Sequence, residues 1–396
     1  MISHSKPEPV GGPLWTPAFK ILAAIFGVSA LLMIWRFAAG LGATTGLSDG
    51  YPWGIWIAFD VVTGTALGCG GYAMAFLVYI FNKGEYHPLV RPAVLTSALG
   101  YTMAAVAIHL DVGRPPFIYK IPIFPGWWNL NSVLLEVALC VMAYVGVLWL
   151  ELSPAFFEEW QKKGAHPTLK KIADTFSPIV NKLMIPLLAV GVLLPSMHQT
   201  SLGALMLLGG QKVHGLWQTP FAPLLFLITC VAMGYGVVVM ESQLAMAVFH
   251  RRRETQLLAR MAVVPAWLTL VYLAIRWVDI ILRGRLGLAF AFNVQVLMFW
   301  VEMALFVGGA AMLLSPSARG TAKGQFQAAM LLVFAGSIYR LDAYLVAYNP
   351  GWNWTYFPAV PEILITVGIV AAELMAYLYI VKRYPILGGA AEAAHN

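Results

Sequence analysis

Ten stretches of this chain are long and apolar enough to cross a membrane as helices, and nothing else in the sequence constrains the fold as strongly. About 20 helical residues at 1.5 Å each span the roughly 30 Å of a bilayer's hydrocarbon. The stretches lie near residues 18–40, 53–81, 90–112, 130–152, 178–202, 220–249, 260–282, 292–314, 325–348 and 359–381. In lipid each backbone N–H and C=O must find its partner within the segment, so each stretch is predicted to be a helix. Composition agrees: 60% of the 396 residues are hydrophobic and 11% charged, against roughly 45–50% and 25% for a soluble domain. The head MISHSKPEPVGGPLWTP has no basic cluster, and no small-residue cleavage site follows it, so the first stretch reads as a retained helix. The fold class is therefore an all-α integral membrane protein of about ten transmembrane helices.

Orientation follows from the basic residues, because Lys- and Arg-rich loops stay in the cytoplasm. Of the 25 Lys and Arg, 17 fall on one side, 5 on the other, and Arg36, Arg276 and Arg340 lie inside spans. Both termini are thus expected to be cytoplasmic, with a tail at 1–17, a membrane domain at 18–382 and a tail at 383–396. The net charge of +7 is a property of loops and does not indicate nucleic acid. Aromatic clusters at Tyr51, Trp53 and Trp56, at Trp127 and Trp128, and at Trp352, Trp354, Tyr356 and Phe357 suit the outer interface. Two short matches, His109 with Arg276 and Glu136 with Glu302, recur 167 and 166 residues apart. They suggest two parallel four-helix bundles, near 53–202 and 220–348, flanked by the first and last helices.

Ionisable groups are costly in hydrocarbon, so each is a functional candidate. Arg36, Asp60, His109, Asp111, His198, Arg276, Asp279, Arg340 and Asp342 are expected in the outer parts of their spans. Glu136, about six residues into the fourth span from Leu130, and Glu302 are expected deeper. Glu241 and Glu373 are expected in the inner halves, completing a ladder of protonatable groups. Each has a plainer reading as well: the arginines can pair with Asp279 and Asp342 or snorkel, and Asp111 with Arg114 can shape a helix end before Pro115 and Pro116. Asp60 and Glu136 have no basic neighbour one turn away on their own helix, which favours proton-carrying roles.

Cys69, Cys140 and Cys230 show no metal-ligand spacing, so neither a metal site nor an iron–sulfur cluster is expected in this chain. Only His109 and His198 of the eight histidines lie within spans. A two-haem subunit needs four, and one haem is disfavoured. An outer cluster of Asp, His and Arg among aromatics suits quinone, whose oxygens gain protons as electrons arrive from a partner protein.

WGIWIAFD ending at Asp60, CGGYAMA, FNKGEYHPLVRPA, IHLDVGR, WNLNSVLLE ending at Glu136, PSMHQTSLGAL, HGLWQ and VAYNPGWNWTYFP resemble the NrfD/polysulfide-reductase membrane-subunit family. Within it they resemble the HybB-type subunit of nickel–iron uptake hydrogenases, from about residue 15 to 385. The resemblance implies a haem-free anchor in the bacterial inner membrane, docked to a periplasmic ferredoxin-like iron–sulfur subunit that relays electrons from the nickel–iron large and small subunits. It implies reduction of quinone, menaquinone in the first instance, coupled in some members to proton movement. Asp60 maps to the acidic residue beside the quinone site, and Glu136 and Glu241 to proposed proton carriers. Asp111 and Glu302 join them as proton-handling candidates, and His109, Asp111, Arg114, Asn131, His198 and Arg340 are candidates for contacting quinone. Two rivals stand beside this reading: the same scaffold serving a polysulfide, nitrite or molybdenum enzyme, and a secondary transporter, for which Pro186 and Pro195 and the segment TGTALGCGG offer modest support.

Overall fold

In the computed structural model, residues 6–162, 164, 166–251 and 254–389 are described. Among them are ten helices long and apolar enough to cross a membrane: α1 (Pro17–Ala39), α2 (Trp56–Ile80), α3 (Gly84–Asp111), α4 (Val133–Trp160), α5 (Pro167–Lys212), α6 (Ala222–Phe249), α7 (Thr255–Leu282), α8 (Val294–Leu314), α9 (Ala322–Val346) and α10 (Val360–Arg383). The described residues contain isolated β-bridges but no strand. Residues 1–5 and 390–396 of the expected tails lie outside the described residues, as do Lys163, Arg252, Arg253 and His395.

The helices begin where local chemistry allows. Thr16, Ser132, Asn293 and Thr321 cap α1, α4, α8 and α9 by accepting from the backbone N–H three residues on, at 2.8–3.3 Å. Pro17, Pro167 and Pro223 stand at first-turn positions, where a missing N–H costs nothing. Two boundaries differ from the sequence expectation. Helix α5 starts at Pro167, eleven residues before the expected 178, because the amphipathic stretch around Lys170, Lys171 and Asp174 continues the helix beyond the apolar run. Helix α4 starts at Val133, because Ser132 caps it there. Glu136 therefore sits in the first turn, about 4.5 Å shallower than a start at Leu130 would place it.

Helix α6 is central and touches α2, α5, α7 and α9; α3 packs on α4 and α10, α8 on α7 and α9, and α1 on α10. The outer faces of α1 and α5 keep large apolar chains such as Ile21, Leu31, Ile34, Ile185 and Leu193 exposed, as a surface solvated by lipid requires. At the end bearing both termini, residues 6–11 lie along the last turn of α10 and the chain after it, antiparallel at Pro7 and Gly388: Glu8 N–H donates to Leu387 O and Val10 N–H to Val381 O, both at 2.9 Å.

Two helices are locally widened. Helix α2 opens with π-helical turns over Trp56–Thr63 and breaks at Gly68 and Cys69, and α9 closes with π-helical turns over Asp342–Val346. Trp53, three residues before the first segment, donates from Nε1 to Tyr344 O of the second at 2.8 Å. Wide turns of this kind free backbone groups and gather at functional sites, and here each holds a buried aspartate, Asp60 and Asp342.

Candidate functional site

Three polar groups occupy the interior. The first joins α1, α2, α3 and α10 at the end opposite the termini. Asp60, 5% exposed, accepts a 2.7 Å hydrogen bond from Thr366 Oγ1 of α10. Arg36 of α1 donates to Leu110 O and Val112 O at 2.8 and 2.9 Å, tying the end of α3 to α1 and bringing its charge to Asp111, which has one buried oxygen without a partner. Glu362, fully buried, accepts from Gly46 N and Ala359 N at 2.7 and 2.8 Å and from Tyr356 Oη at 2.8 Å, and Tyr356 Oη in turn accepts from Ile55 N at 2.7 Å. This clamp fixes the mouth of α2 just above Asp60.

The second group lies where α2, α3, α5, α6 and α9 meet. Arg340 has no exposed surface and donates to Phe226 O at 3.0 Å, Thr229 Oγ1 at 3.1 Å, Met233 Sδ at 3.2 Å, and Gly336 O and Gln199 Oε1 at 3.3 Å. Gln199 Nε2 passes the network to Thr65 Oγ1 at 3.1 Å. His198, 1% exposed, presses its ring edge on Tyr101 with centroids 5.7 Å apart, and neither ring nitrogen has a partner.

The third group belongs to α7, α8 and α9. Glu302, fully buried, accepts from Tyr272 Oη at 2.6 Å and Trp217 Nε1 at 3.0 Å and faces Arg276 Nη2 at 3.6 Å. Asp342 lies in electrostatic contact with this pair, with both its oxygens buried and unpartnered. Arg276 thus pairs with Glu302, whereas Asp279 pairs with Arg283 at 3.7 Å.

A line of polar side chains runs from the first group toward the termini. Thr366, Glu373 and Tyr377 are seven and four residues apart, so they share one face of α10. Glu373 lies against Gly100, where an added Cβ would stand 3.6 Å from its Oε1. Tyr377 Oη donates to Glu241 Oε1 of α6 at 2.7 Å. Glu241 lines a narrow crevice at the termini end with Pro88, Ser242, Arg251 and Gly388.

A larger cavity of about 440 Å³ lies between α1, α3 and α4 under residues 118–121. Its wall is apolar, with Met33, Phe37, Ile108, Ile121 and Val141, and its polar side chains are Thr102 and His109.

The sequence-predicted residues therefore separate. Asp60 and Asp111 share the first group, His198 and Arg340 the second, Glu302 the third; Glu241 ends the polar line and His109 faces the cavity. Arg114 and Asn131 lie exposed in the segment between α3 and α4, and no hydrogen bond joins either side chain to the candidate residues. Glu136 is half-buried in the first turn of α4, apart from these groups. Sequence reasoning missed Glu362, Thr366, Tyr377 and Gln199. It also missed Glu151, whose buried, unpartnered Oε1 fills the space that Gly191 leaves open on α5. The signal for Glu151 was present as a carboxylate inside LWLELSP; for the others the signal is the partner, which only packing supplies.

Comparison with known proteins bears on these groups. The sequence profile of the polysulphide reductase NrfD family matches residues 43–341. The chain is 38% identical over its whole length, and 98% of the relative's, to the "probable Ni/Fe-hydrogenase 2 b-type cytochrome subunit" of Escherichia coli strain K12. It is 28% identical to the "menaquinone reductase, integral membrane subunit" of Nitratidesulfovibrio vulgaris strain Hildenborough, over 90% of this chain and 88% of that one. It is 24% identical to a "putative dimethyl sulfoxide reductase membrane subunit" of Halobacterium salinarum, over 93% and 92%. The expectation of a haem-free chain is overturned by the first of these names, since a b-type cytochrome subunit points to haem. The donor chemistry fits: His198 keeps both ring nitrogens unengaged, and His109 stands in the wall of an apolar cavity. With ten membrane-crossing helices and a profile covering most of its length, the chain is a multi-pass membrane protein belonging to the NrfD family.

Proposed function

We propose that this chain is the membrane subunit of a hydrogenase complex, taking electrons from an iron–sulfur partner and delivering them to quinone, menaquinone in the first instance. The names of the Escherichia coli and Nitratidesulfovibrio relatives support the two halves of that reading. The observation that carries it is the polar line from Asp60 through Thr366, Glu373 and Tyr377 to Glu241 and its crevice. It covers eleven residues of α10, about 16 Å at 1.5 Å per residue, or roughly half the hydrocarbon thickness. Quinone takes up two electrons and two protons to become quinol, so a reduction site inside the membrane needs proton carriers. Carboxylates with few competing charges, linked by hydroxyls, are suited to that task.

In this reading the termini face the cytoplasm, as the basic residues favour, and the loops at the other end meet the iron–sulfur partner. The quinone ring enters the cavity of α1, α3 and α4, where His109 would bond a quinone oxygen, and Arg36 holds the backbone on either side of Asp111 at the same end. Asp60 and Glu241 hold and pass protons. Haem, to which the Escherichia coli relative's name points, would be held through His198, whose ring nitrogens have no partner, and would supply one-electron transfer.

The test uses the complex purified with its partner subunits. Asp60→Asn keeps the bond from Thr366 but cannot release a proton. Its quinone-linked hydrogen oxidation is expected to fall by about a hundredfold or more, the usual effect of losing an acid–base group being about 10²–10⁴, while oxidation with a soluble artificial acceptor stays at wild-type rate. Wild-type quinone rates would place proton delivery elsewhere, and absence of nickel–iron subunits from the purified complex would overturn the hydrogenase assignment.

A further inference from the structure

The cavity of about 440 Å³ between α1, α3 and α4 suits an occupant that is mostly apolar, and its size falls within the roughly 300–1,000 Å³ of small-molecule pockets. Of its two polar side chains, Thr102 is already engaged: its hydroxyl donates to Ala98 O at 2.6 Å and accepts from Trp149 Nε1 at 3.0 Å. His109 remains to answer a polar atom of the occupant, at one edge of an otherwise apolar chamber. Phe37, Val106 and Met142 line the chamber and are nonetheless 47, 38 and 39% exposed. The chamber thus opens sideways, where the outer faces of α1 and α4 meet lipid. A ligand with a long apolar tail can leave that tail in the bilayer.

Phe37 stands at this opening in a fixed setting. Arg36 beside it is held by Leu110 O and Val112 O at 2.8 and 2.9 Å, which pins its guanidinium to the end of α3. The Phe37 ring has its centroid 5.6 Å from that guanidinium and 5.7 Å from the centre of the His109 ring, to which it is tilted by 56°. A half-exposed apolar side chain is ordinarily just surface. Leu31 and Ile34 of the same helix fit that plain reading, being more exposed and outside the cavity wall. Phe37 differs: it shares the wall with Met33, one turn earlier on the same face, and lies against the polar group that the chamber offers. A ring already held in place beside a hydrogen-bonding group is a stacking platform for a second flat ring, at little further cost in entropy.

We propose that Phe37 is the specificity-determining residue of this site. It stacks on the quinone ring while His109 bonds one ring oxygen, and the pairing favours a fused two-ring naphthoquinone over a dimethoxybenzoquinone. The inference rests on the quinone-reacting function proposed above and adds the residue that chooses among quinones. Two physical effects set the preference. A fused second ring offers more surface for stacking and nothing that needs a hydrogen bond. Two methoxy oxygens in the same apolar space lose their water partners, and Thr102 is not free to replace them. Apolar pockets discriminate between such neighbours by about 10- to 200-fold, so the result is a preference and not an exclusion.

The experiment uses the intact complex in lipid nanodiscs, with hydrogen as donor and two acceptors of equal tail length, a methylnaphthoquinone and a dimethoxybenzoquinone. Phe37→Leu keeps an apolar side chain and removes the flat ring, whereas Phe37→Tyr keeps the ring. In Phe37→Leu, kcat/KM for the naphthoquinone is expected to fall about 2- to 12-fold, the range that a stacked ring pair contributes beyond its buried area, chiefly through a higher KM. The benzoquinone value should change less, so the ratio between the two acceptors drops. Phe37→Tyr should keep the wild-type ratio, and oxidation with a soluble artificial acceptor should stay at wild-type rate in both variants. An unchanged ratio in Phe37→Leu, whether both quinones are unaffected or both fall equally, would overturn the proposal. So would an equal drop of the ratio in Phe37→Tyr, where the ring is retained. Absence of hydrogen-to-quinone turnover in the wild-type complex would overturn the function itself, and the inference with it.

Discussion

A carboxylate away from water needs donors, and Glu302 has Tyr272, Trp217 and Arg276 arranged on its two oxygens. Removing one partner of such a buried pair leaves an uncompensated charge, typically at about 3–5 kcal/mol. Glu302→Leu is therefore expected to lower stability by about that amount, read as an earlier thermal midpoint in detergent. The double variant Arg276→Met with Glu302→Leu should recover part of the loss, because no orphaned charge remains. Equal losses in single and double variants would mean that the lost packing dominates. At this scale the sequence was informative about which residues matter and silent about whom they face. Asp60, Glu241 and Glu302 stood out as carboxylates inside apolar runs. Arg114 and Asn131 were marked by motif, but they lie in an exposed connection where neither reaches the buried groups. The sequence also suggested equivalence between the pair Arg276 and Glu302 and the pair His109 and Glu136. Among the described residues no hydrogen bond or ion pair joins the latter two.

Helix contacts in lipid depend on how closely backbones approach, and small residues set that distance. Gly203 of α5 shows how little room there is: a Cβ would stand 2.6 Å from Pro223 Cα and 2.7 Å from Ala222 C at the start of α6. Backbone cannot give way as a flexible side chain can, so Gly203→Ala is expected to cost about 1–3 kcal/mol and to lower the yield of folded protein in detergent. Gly27 of α1 is the control, with nothing within 4 Å of an added Cβ. Gly27→Ala should leave the thermal midpoint unchanged or raise it, since Ala is the better helix former. If the two variants behave alike, the α5–α6 contact is not the tight one. The glycines were readable in the sequence, but their partners were not. The sequence likewise marked α2 as unusual through TGTALGCGG, while its π-helical turns around Asp60, packed against α3, α9 and α10, became visible only in the structure.

Across the whole molecule, the polar line on α10 and the crevice beside Glu241 imply a direction for protons, which can be measured in sealed proteoliposomes. Glu241→Gln keeps the hydrogen bond from Tyr377 but cannot lose a proton. Hydrogen-to-quinone turnover in that variant should lose the acceleration that an uncoupler gives the wild type. An unchanged uncoupler response would remove Glu241 from the path. The crevice is bordered by Leu387 and Gly388, which the strand-like pairing with residues 6–11 holds in place. Deleting residues 1–11 should therefore increase the rate at which a cysteine placed at Ser242 is alkylated by a water-soluble maleimide. No change in that rate would show that the pairing leaves access to the crevice unaltered.

The sequence by itself determined the helical class, the count of ten crossings and the family, because hydrocarbon imposes length and internal hydrogen bonding on every segment regardless of its neighbours. It also determined which side chains are costly in lipid and so worth following. Only the tertiary structure decided that Asp60 meets Thr366, that Glu241 meets Tyr377, that Arg340 meets Thr229 and Gln199, and that Glu136 stands in a first turn away from them. The physical reason is that hydropathy is a property of each segment alone, whereas a hydrogen bond across a helix bundle depends on rotation, depth and closeness of two segments. Those are fixed by glycine contacts, caps and loop lengths acting together, and no single stretch of sequence contains them.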